Sequence, residues 1–156
     1  MKLAVDAMLG KLARWLRALG YDSLYCSGID NDDLLDLARR QGRVLITRDR
    51  RLHERRGDVP LILVVANDVE SQIREFLDAA KAGPDRDLFF TRCIECNETL
   101  KRIGREEADG RVPEFILLKH DRFSRCPACG KVFWQGSHHD GMREKLLEIL
   151  ENTSNP

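Results

Sequence analysis

The chain has 156 residues, and its 26 Lys and Arg side chains are balanced by 26 Asp and Glu, so the formal net charge is zero. This length predicts about one domain, and a hydrophobic share of 42% is enough for a packed core. Zero net charge excludes a protein that coats nucleic acid by bulk electrostatic attraction. The sequence lacks both a long apolar run and the features of a secretory signal. We therefore expect a cytoplasmic protein without a membrane partner, in which paired cysteines bind metal.

The chain divides near residues 82–87, where a helical pattern ends in Gly83 and Pro84, followed by charged residues. We predict a first domain over residues 1–84 and a second domain over residues 90–150. The last stretch, 151–156, is typical of a frayed end.

The first domain alternates between short apolar runs and segments of helical periodicity. Four strands separated by helical segments indicate βαβ units with right-handed crossovers, and hence an α/β fold with a mostly parallel sheet. In chain order, the predicted elements are a strand at 2–5, a helix over 9–19, a strand at 23–26, a helix over 32–41, strands at 44–47 and 61–65, and a helix over 69–80.

Acidic side chains follow three of the predicted strands. Asp6 follows the first strand, Asp32 and Asp33 follow the second, and Asp49 follows the third. Because the carboxyl ends of parallel strands form one edge where ligands bind, we expect these carboxylates to converge there. Converging carboxylates repel one another unless a cation bridges them, and oxygen ligands suit Mg²⁺ or Mn²⁺. The pattern therefore predicts metal-assisted hydrolysis of phosphodiesters.

An alternative reading of these aspartates is structural. Aspartates are common helix caps, so the acids at 30–33 could cap the second helix, and Asp49 could pair with neighbouring arginines. Asp6 is harder to explain in this way, because an acid that leaves a buried strand needs a partner.

Basic residues are concentrated beside these acids. Residues 39–56 contain eight arginines but only two acidic residues. Lys11, Arg14 and Arg17 recur every three residues and so share the outward face of the first helix. A rim of cations could position phosphates, although an ordinary solvated face is the alternative. The residues predicted to contact phosphates are Lys11, Arg14, Arg17 and Arg48.

The second domain contains two Cys-x-x-Cys pairs, separated by 29 residues. Four thiolates at this spacing suit a tetrahedral structural Zn²⁺, and disulfides, a redox pair or an iron–sulfur cluster are weaker alternatives. Because so small a domain has few large apolar groups, the metal would supply much of its folding energy. Cys26 lies in an apolar strand and is predicted to be a core residue. The predicted zinc ligands are Cys93, Cys96, Cys126 and Cys129.

The remaining segments of the second domain carry weaker signals. Residues 112–119 are predicted to form a strand, and residues 142–150 a closing amphipathic helix. Phe133 and Trp134 belong either to the core or to a surface on which nucleic-acid bases stack.

Specific segments occur together over nearly the whole chain: both cysteine pairs, DAMLGKLARWLR at 6–17, GYD at 20–22, LITRD at 45–49 and WQGSH at 134–138. In combination they resemble the PIN-like ribonucleases related to the C-terminal domain of the Mut-seven exonucleases. The resemblance implies a PIN-like α/β domain followed by a small C-terminal zinc ribbon.

The resemblance also implies metal-dependent cleavage of RNA, with single-stranded RNA as the expected partner. Asp6 and Asp49 match the acidic positions of such sites, and the acid before the second helix falls on Asp33 or Asp32. One or two Mg²⁺ or Mn²⁺ ions held by these acids would activate water for in-line attack on a phosphate, leaving a 5′-phosphate and a 3′-hydroxyl. The RNA target and the oligomeric state stay open.

Two other functions compete with this one. A non-catalytic RNA-associated or ribosome-associated zinc-ribbon protein would bind RNA without turnover. A receiver-like switch would be phosphorylated on Asp49, but no lysine follows a later strand where such a switch needs one.

Overall fold

The computed structural model describes residues 1–81 and 83–153. No helix in these two ranges combines the length and the apolar character needed to cross a membrane. The elements in chain order are β1 (Lys2–Asp6), a 3₁₀ turn (Ala7–Leu9), α1 (Gly10–Ala18), β2 (Asp22–Cys26), α2 (Asn31–Gln41), β3 (Val44–Thr47), α3 (Arg50–Arg55), β4 (Leu61–Leu63), α4 (Val69–Ala80), a 3₁₀ turn (Arg86–Leu88), β5 (Lys101–Ile103), α5 (Arg105–Ala108), α6 (Glu114–Lys119), β6 (Phe123–Arg125), β7 (Val132–Trp134) and α7 (Ser137–Thr153).

Strands β1 to β4 form one parallel sheet in the order β2-β1-β3-β4, which confirms the predicted α/β class. The chain runs outward from β1 to β2 and then crosses back past β1 to β3. The direction of winding therefore reverses between β1 and β3. In open α/β sheets, ligands bind in the crevice that such a reversal leaves at the carboxyl ends of the strands.

Two apolar cores cover the two faces of this sheet. Leu3 and Val5 of β1 pack in a core that includes residues of α1, α4 and α7, whereas Ala4 between them packs against α2 and α3. This alternation follows from the period of two along a strand. Leu146 and Ile149 of α7 are buried in the first core. The closing helix thus belongs to the packing of the parallel sheet, although it follows the cysteine pairs in the chain.

Between α4 and α7 lies a small module, residues 91–134, which we call the ribbon. Its three short antiparallel strands follow the order β5-β6-β7 and carry a separate core that includes Ala108, Ile116 and Phe123. This core contains five buried hydrophobic residues, so it supplies little of the burial that a stable fold needs.

Residues 112–119, predicted to form a strand, instead contain the helix α6. Val112 and Ile116 are both buried and lie four residues apart, which is the spacing of a helix. Pro113 stands at the cap of the helix, where its missing N–H is no loss. The prediction was wrong because a short apolar run fits both periodicities.

Hydrogen bonds from the buried side chain of Arg17, near the end of α1, attach the ribbon to the parallel sheet. The Arg17 side chain is 5% exposed, and its Nε donates to the Ser23 carbonyl at 2.9 Å. Its Nη1 donates to the carbonyls of Ile94 at 2.9 Å and Glu95 at 2.8 Å. Since Ser23 lies near the amino end of β2, the ribbon sits toward the sheet edge opposite the carboxyl ends.

Candidate active site and metal centre

Asp6 and Asp49 lie beside the reversal point between β1 and β3, linked by one threonine. Thr47, the last residue of β3, is fully buried, and its Oγ1 donates to Asp6 Oδ2 at 2.7 Å. The same Oγ1 accepts a hydrogen bond from the Asp49 backbone N–H at 3.0 Å. Within residues 1–81 and 83–153, no group donates a hydrogen bond to Oδ1, the other oxygen of the Asp6 carboxylate. Thr47 therefore orients the Asp6 carboxylate and fixes the backbone of the second acid.

The Asp49 carboxylate is held in place from two sides. Its Oδ1 caps α3 by accepting the Arg51 backbone N–H at 2.8 Å, and its Oδ2 accepts from Asn31 Nδ2 at 3.2 Å. The Arg51 N–H is the main cause of a lowered pKa at Asp49, and the Asn31 amide adds to it. The Asp49 side chain is therefore already ionised well below neutral pH.

The two candidates for the third acid differ in their surroundings. Asp32 forms a salt bridge with Arg55, with 2.5 Å between Oδ1 and Nη2. The Asp33 backbone N–H donates to the capping Asp30, and no residue in the structurally described ranges hydrogen-bonds to the Asp33 carboxylate. Asp33 is therefore the acid left open to a ligand.

The acids supply oxygen donors of the kind that Mg²⁺ and Mn²⁺ prefer, so their chemistry fits the predicted ion. They do not form a tight cluster. Within residues 1–81 and 83–153, one group of three or more His, Cys, Asp or Glu has ligand atoms that all lie within 4.8 Å of one another. This group is formed by the four cysteines. Water would complete the coordination of an ion held by these carboxylates, as it often does for Mg²⁺.

The structure directs the side chains of Arg14 and Arg17 away from the acids at the carboxyl edge, where phosphate contacts were predicted. Both side chains point toward the ribbon: Arg14 Nη2 binds Glu95 Oε1 at 2.9 Å, and Arg17 is buried against backbone carbonyls. Arg17 has no free surface with which to meet RNA. The spacing correctly placed Arg17 on the same face of α1 as Arg14. This face is covered by the ribbon, which lies some 80 residues later in the chain.

We predict that Arg17→Met destabilises the protein by about 3 kcal/mol or more. The change leaves three carbonyls without their donor, and a buried unsatisfied polar group costs about 1–3 kcal/mol. Urea unfolding measures the loss. The matched control is Arg14→Met on the same helix, whose exposed ion pair should contribute less than about 1 kcal/mol. Equal effects at the two positions would contradict the assignment.

Arg48 and Lys11 stay near the carboxyl edge. Arg48 follows β3 directly, and its Nη2 donates to the Val65 carbonyl at 3.2 Å and to Asn67 Oδ1 at 2.6 Å. These bonds hold the guanidinium over the end of β4. Lys11 is exposed in the first turn of α1. Both remain predicted phosphate contacts.

The four cysteines converge in the ribbon. Cys93 Sγ lies 3.7 Å from Cys129 Sγ, and Cys96 Sγ lies 3.2 Å from Cys126 Sγ. Tetrahedral zinc with Zn–S bonds of about 2.3 Å places its sulfurs about 3.8 Å apart, so the cluster has the size for one ion. The Cys129 backbone N–H also donates to Cys126 Sγ at 3.4 Å, which favours a thiolate there.

The thiols differ in acidity before any metal binds. Burial raises the pKa of Cys93 to about 12. At Cys126, burial acts in the same direction, but hydrogen bonds led by the Cys129 N–H outweigh it and lower the pKa to about 7. Metal binding requires thiolates, so the hydrogen bonds at Cys126 favour the form of this side chain that binds zinc.

A second polar link joins the first cysteine pair to β2. Asn97, with a positive φ of 72°, donates from Nδ2 to Asp22 Oδ1 at 2.7 Å and accepts the Ser23 N–H at 2.8 Å. Arg43 Nη1 also binds Asp22 Oδ1, at 2.9 Å. Burial opposes ionisation of Asp22, but the hydrogen bonds from Arg43 and Asn97 prevail and lower its pKa.

This lowered pKa predicts a loss of stability in acid. A carboxyl whose pKa is lower in the folded state stabilises the fold above its unfolded pKa of about 4, and the contribution disappears as the pH falls through the folded value. Urea unfolding of wild-type protein and of Asp22→Asn should therefore differ most at neutral pH and converge below about pH 4. A difference that stays constant with pH would contradict this assignment.

Sequence reasoning missed Thr47 and Asn31 as parts of the site. Both carry uncharged side chains, and their role depends on contacts across the sheet edge, 41 and 18 residues away along the chain. The available signal was position, since Thr47 ends a buried strand and Asn31 begins the helix after another.

Residues 1–146 match the family model of the Mut7-C RNAse domain. The chain belongs to this family. A curated relative, "Exonuclease mut-7 homolog" of Homo sapiens, is 27% identical over 167 residues, an alignment that covers 97% of this chain and 16% of the relative. No solved structure matches this chain. The family and the relative together support a nuclease role.

Proposed function

We propose that this chain hydrolyses RNA phosphodiester bonds with Mg²⁺ or Mn²⁺ held by Asp6, Asp49 and Asp33. The observation that supports the proposal most is the hydrogen-bonded link from Asp6 through Thr47 to Asp49, at the reversal point of a sheet in an RNase-domain family. A divalent cation in such a site lowers the pKa of water and offsets charge developing on the phosphate.

The surrounding residues have positioning roles in this proposal. Thr47 orients the Asp6 carboxylate, and Asn31 orients that of Asp49. Arg48 and Lys11 flank the same edge and would contact the phosphate backbone of a single-stranded substrate. Asp33 is preferred over Asp32 as the third ligand because Arg55 already neutralises Asp32. The expected products carry a 5′-phosphate and a 3′-hydroxyl.

We further propose that the cysteine cluster holds one structural Zn²⁺. Four thiolates leave no open coordination position, so this ion would stabilise the ribbon and take no part in hydrolysis.

Hydrolysis is tested by incubating the zinc-loaded chain with labelled single-stranded RNA, with and without added Mn²⁺. Omitting Mn²⁺ is preferable to chelation, because a chelator would also remove zinc from the ribbon. We expect cleavage only with Mn²⁺, and fragments with 5′-phosphates. Intact RNA under both conditions would contradict the proposal.

The second candidate is an RNA-binding protein without catalysis. The observation in its favour is the absence of a tight acidic cluster within the described ranges 1–81 and 83–153. This candidate predicts RNA binding that is unaffected by Mn²⁺, and no fragments after long incubation.

A further inference from the structure

A cavity of about 700 Å³ lies between the ribbon, α1 and the start of α7. Aromatic rings and cations line it together. Its walls include four Lys or Arg side chains and two Asp or Glu, so the charge of the lining is positive although the whole chain is neutral. An apolar wall with a positive rim suits a ligand that combines flat apolar faces with negative charge.

Phe115 and Phe133 both line this cavity. Phe133 of β7 is half-buried and lines the cavity, as do its neighbours Val132 and Trp134. Phe115 of α6 also lines the cavity and is 59% exposed. More than half of the Phe115 side chain is thus available for stacking, and part of Phe133 is.

The cations at the rim are arranged for an anion. Arg14 of α1 and Lys131 of the ribbon both bind Glu95 Oε1, at 2.9 and 3.1 Å. Both cationic side chains are about half exposed, at 50% and 54%. Lys119 also lines the cavity, and it forms no salt bridge within the described residues 1–81 and 83–153. A phosphate oxygen can replace a carboxylate oxygen between two such cations.

We propose that this cavity binds a segment of single-stranded RNA away from the cleavage site. Bases stack on Phe115 and Phe133. Phosphates pair with Lys119 and Lys131, and at Lys131 the phosphate takes the place of the Glu95 carboxylate. Stacking on aromatic rings accepts every base, so the cavity adds affinity without strong sequence preference. The inference takes its ligand class from the proposed function. Because the ribbon sits toward the amino edge of the sheet, the cavity and the acids would hold different parts of one strand.

The stacking contact is tested by fluorescence anisotropy with labelled single-stranded RNA, using the zinc-loaded Asp49→Asn chain without Mn²⁺. Phe115→Ala in this background should weaken binding about tenfold, since stacking of one base contributes on that scale. The matched control is Leu118→Ala on the same helix, which is 74% exposed and lies outside the cavity lining. Equal binding by both variants and the parent would overturn the proposal.

The phosphate contact has a separate readout in the salt dependence of the same binding. Lys119→Ala should reduce the slope of log affinity against log salt by about 0.7, the value for one phosphate contact on a single strand. Lys101→Ala, on an exposed position of β5 outside the lining, should leave the slope unchanged. Unchanged slopes in both variants would overturn the role of Lys119.

The cavity and the cleavage site can fail independently. If the wild-type chain does not cleave RNA but Phe115→Ala weakens RNA binding, the cavity stands and the proposed hydrolysis is wrong. If the wild-type chain cleaves RNA with Mn²⁺ but no cavity variant alters binding, hydrolysis stands and the cavity proposal is wrong. Failure of the parent chain to bind RNA at all would also overturn the cavity proposal.

Discussion

Replacing Asp6 with asparagine is expected to reduce RNA hydrolysis by more than about a hundredfold while the fold is retained. Loss of a partner outside the first ligand shell commonly costs about 10–100-fold in metal affinity or activity, and a direct ligand should cost more. The asparagine carbonyl can still accept the hydrogen bond that Thr47 donates at 2.7 Å, so the carboxyl edge should keep its shape. Asp49→Asn should behave alike, because an amide oxygen can also cap α3.

The measurement is the initial rate of RNA cleavage over a range of Mn²⁺ concentrations, with circular dichroism as a check of folding. Asp33→Asn and Asp32→Asn form a matched pair on adjacent positions of α2. We expect a large loss only for Asp33→Asn, because Asp32 is 72% exposed and already paired with Arg55. Wild-type rates in both Asp6→Asn and Asp49→Asn would show that these carboxylates do not carry the reaction.

Replacing Cys126 with serine is expected to unfold the ribbon and to loosen the sheet edge beneath it. Structural zinc sites bind with apparent free energies of about 10–16 kcal/mol, and the five buried hydrophobic residues of the ribbon core cannot replace that contribution. The effect should spread because Arg17 and Asn97 bond the first cysteine pair to α1 and β2. Amide hydrogens in β2 should therefore exchange faster although Cys126 lies far along the chain.

Metal content, limited proteolysis and amide exchange measure this effect together. Cys126→Ser should retain less than one zinc per chain and be cleaved within residues 91–134. The control is Cys26→Ala, which removes a sulfur from the second core without touching the cluster, and it should keep its zinc. A metal-free Cys126→Ser protein with an intact ribbon would contradict the dependence on metal.

Most of the parallel sheet could be predicted from the sequence because its strands and helices carry clear periodicity. The predicted strand at 44–47 and the predicted helix over 69–80 agree with the structure, while β4 ends at Leu63 rather than at residue 65. The helix α3 escaped prediction because three of its six residues are arginines and Leu52 is its one buried residue. The helix becomes clear only when Asp49 is seen to cap it.

Residues of the candidate site could be predicted where the end of a single strand sets their position. They could not be predicted where their position depends on contacts between segments far apart in the chain. Asp6 and Asp49 follow from the rule that ligands bind at the carboxyl ends of strands. Arg17 shares its helix face with Arg14. The sequence near these two residues does not show that residues 94 and 95 bury Arg17 and leave Arg14 exposed. The cavity beside the ribbon has the same origin, since its walls come from segments far apart in the chain.

The position of α7 has a consequence for the order in which the protein matures. Leu146, Ile149 and Leu150 complete the core built by α1 and α4, yet they leave the ribosome after the whole ribbon. Both cysteine pairs are therefore exposed to cellular metal before the parallel sheet can close its larger core. Until α7 arrives, the nascent chain presents an apolar surface of the kind that recruits chaperones. The metal capture proposed for the ribbon and the completion of the core are thus separate events, and synthesis makes the cysteines available first.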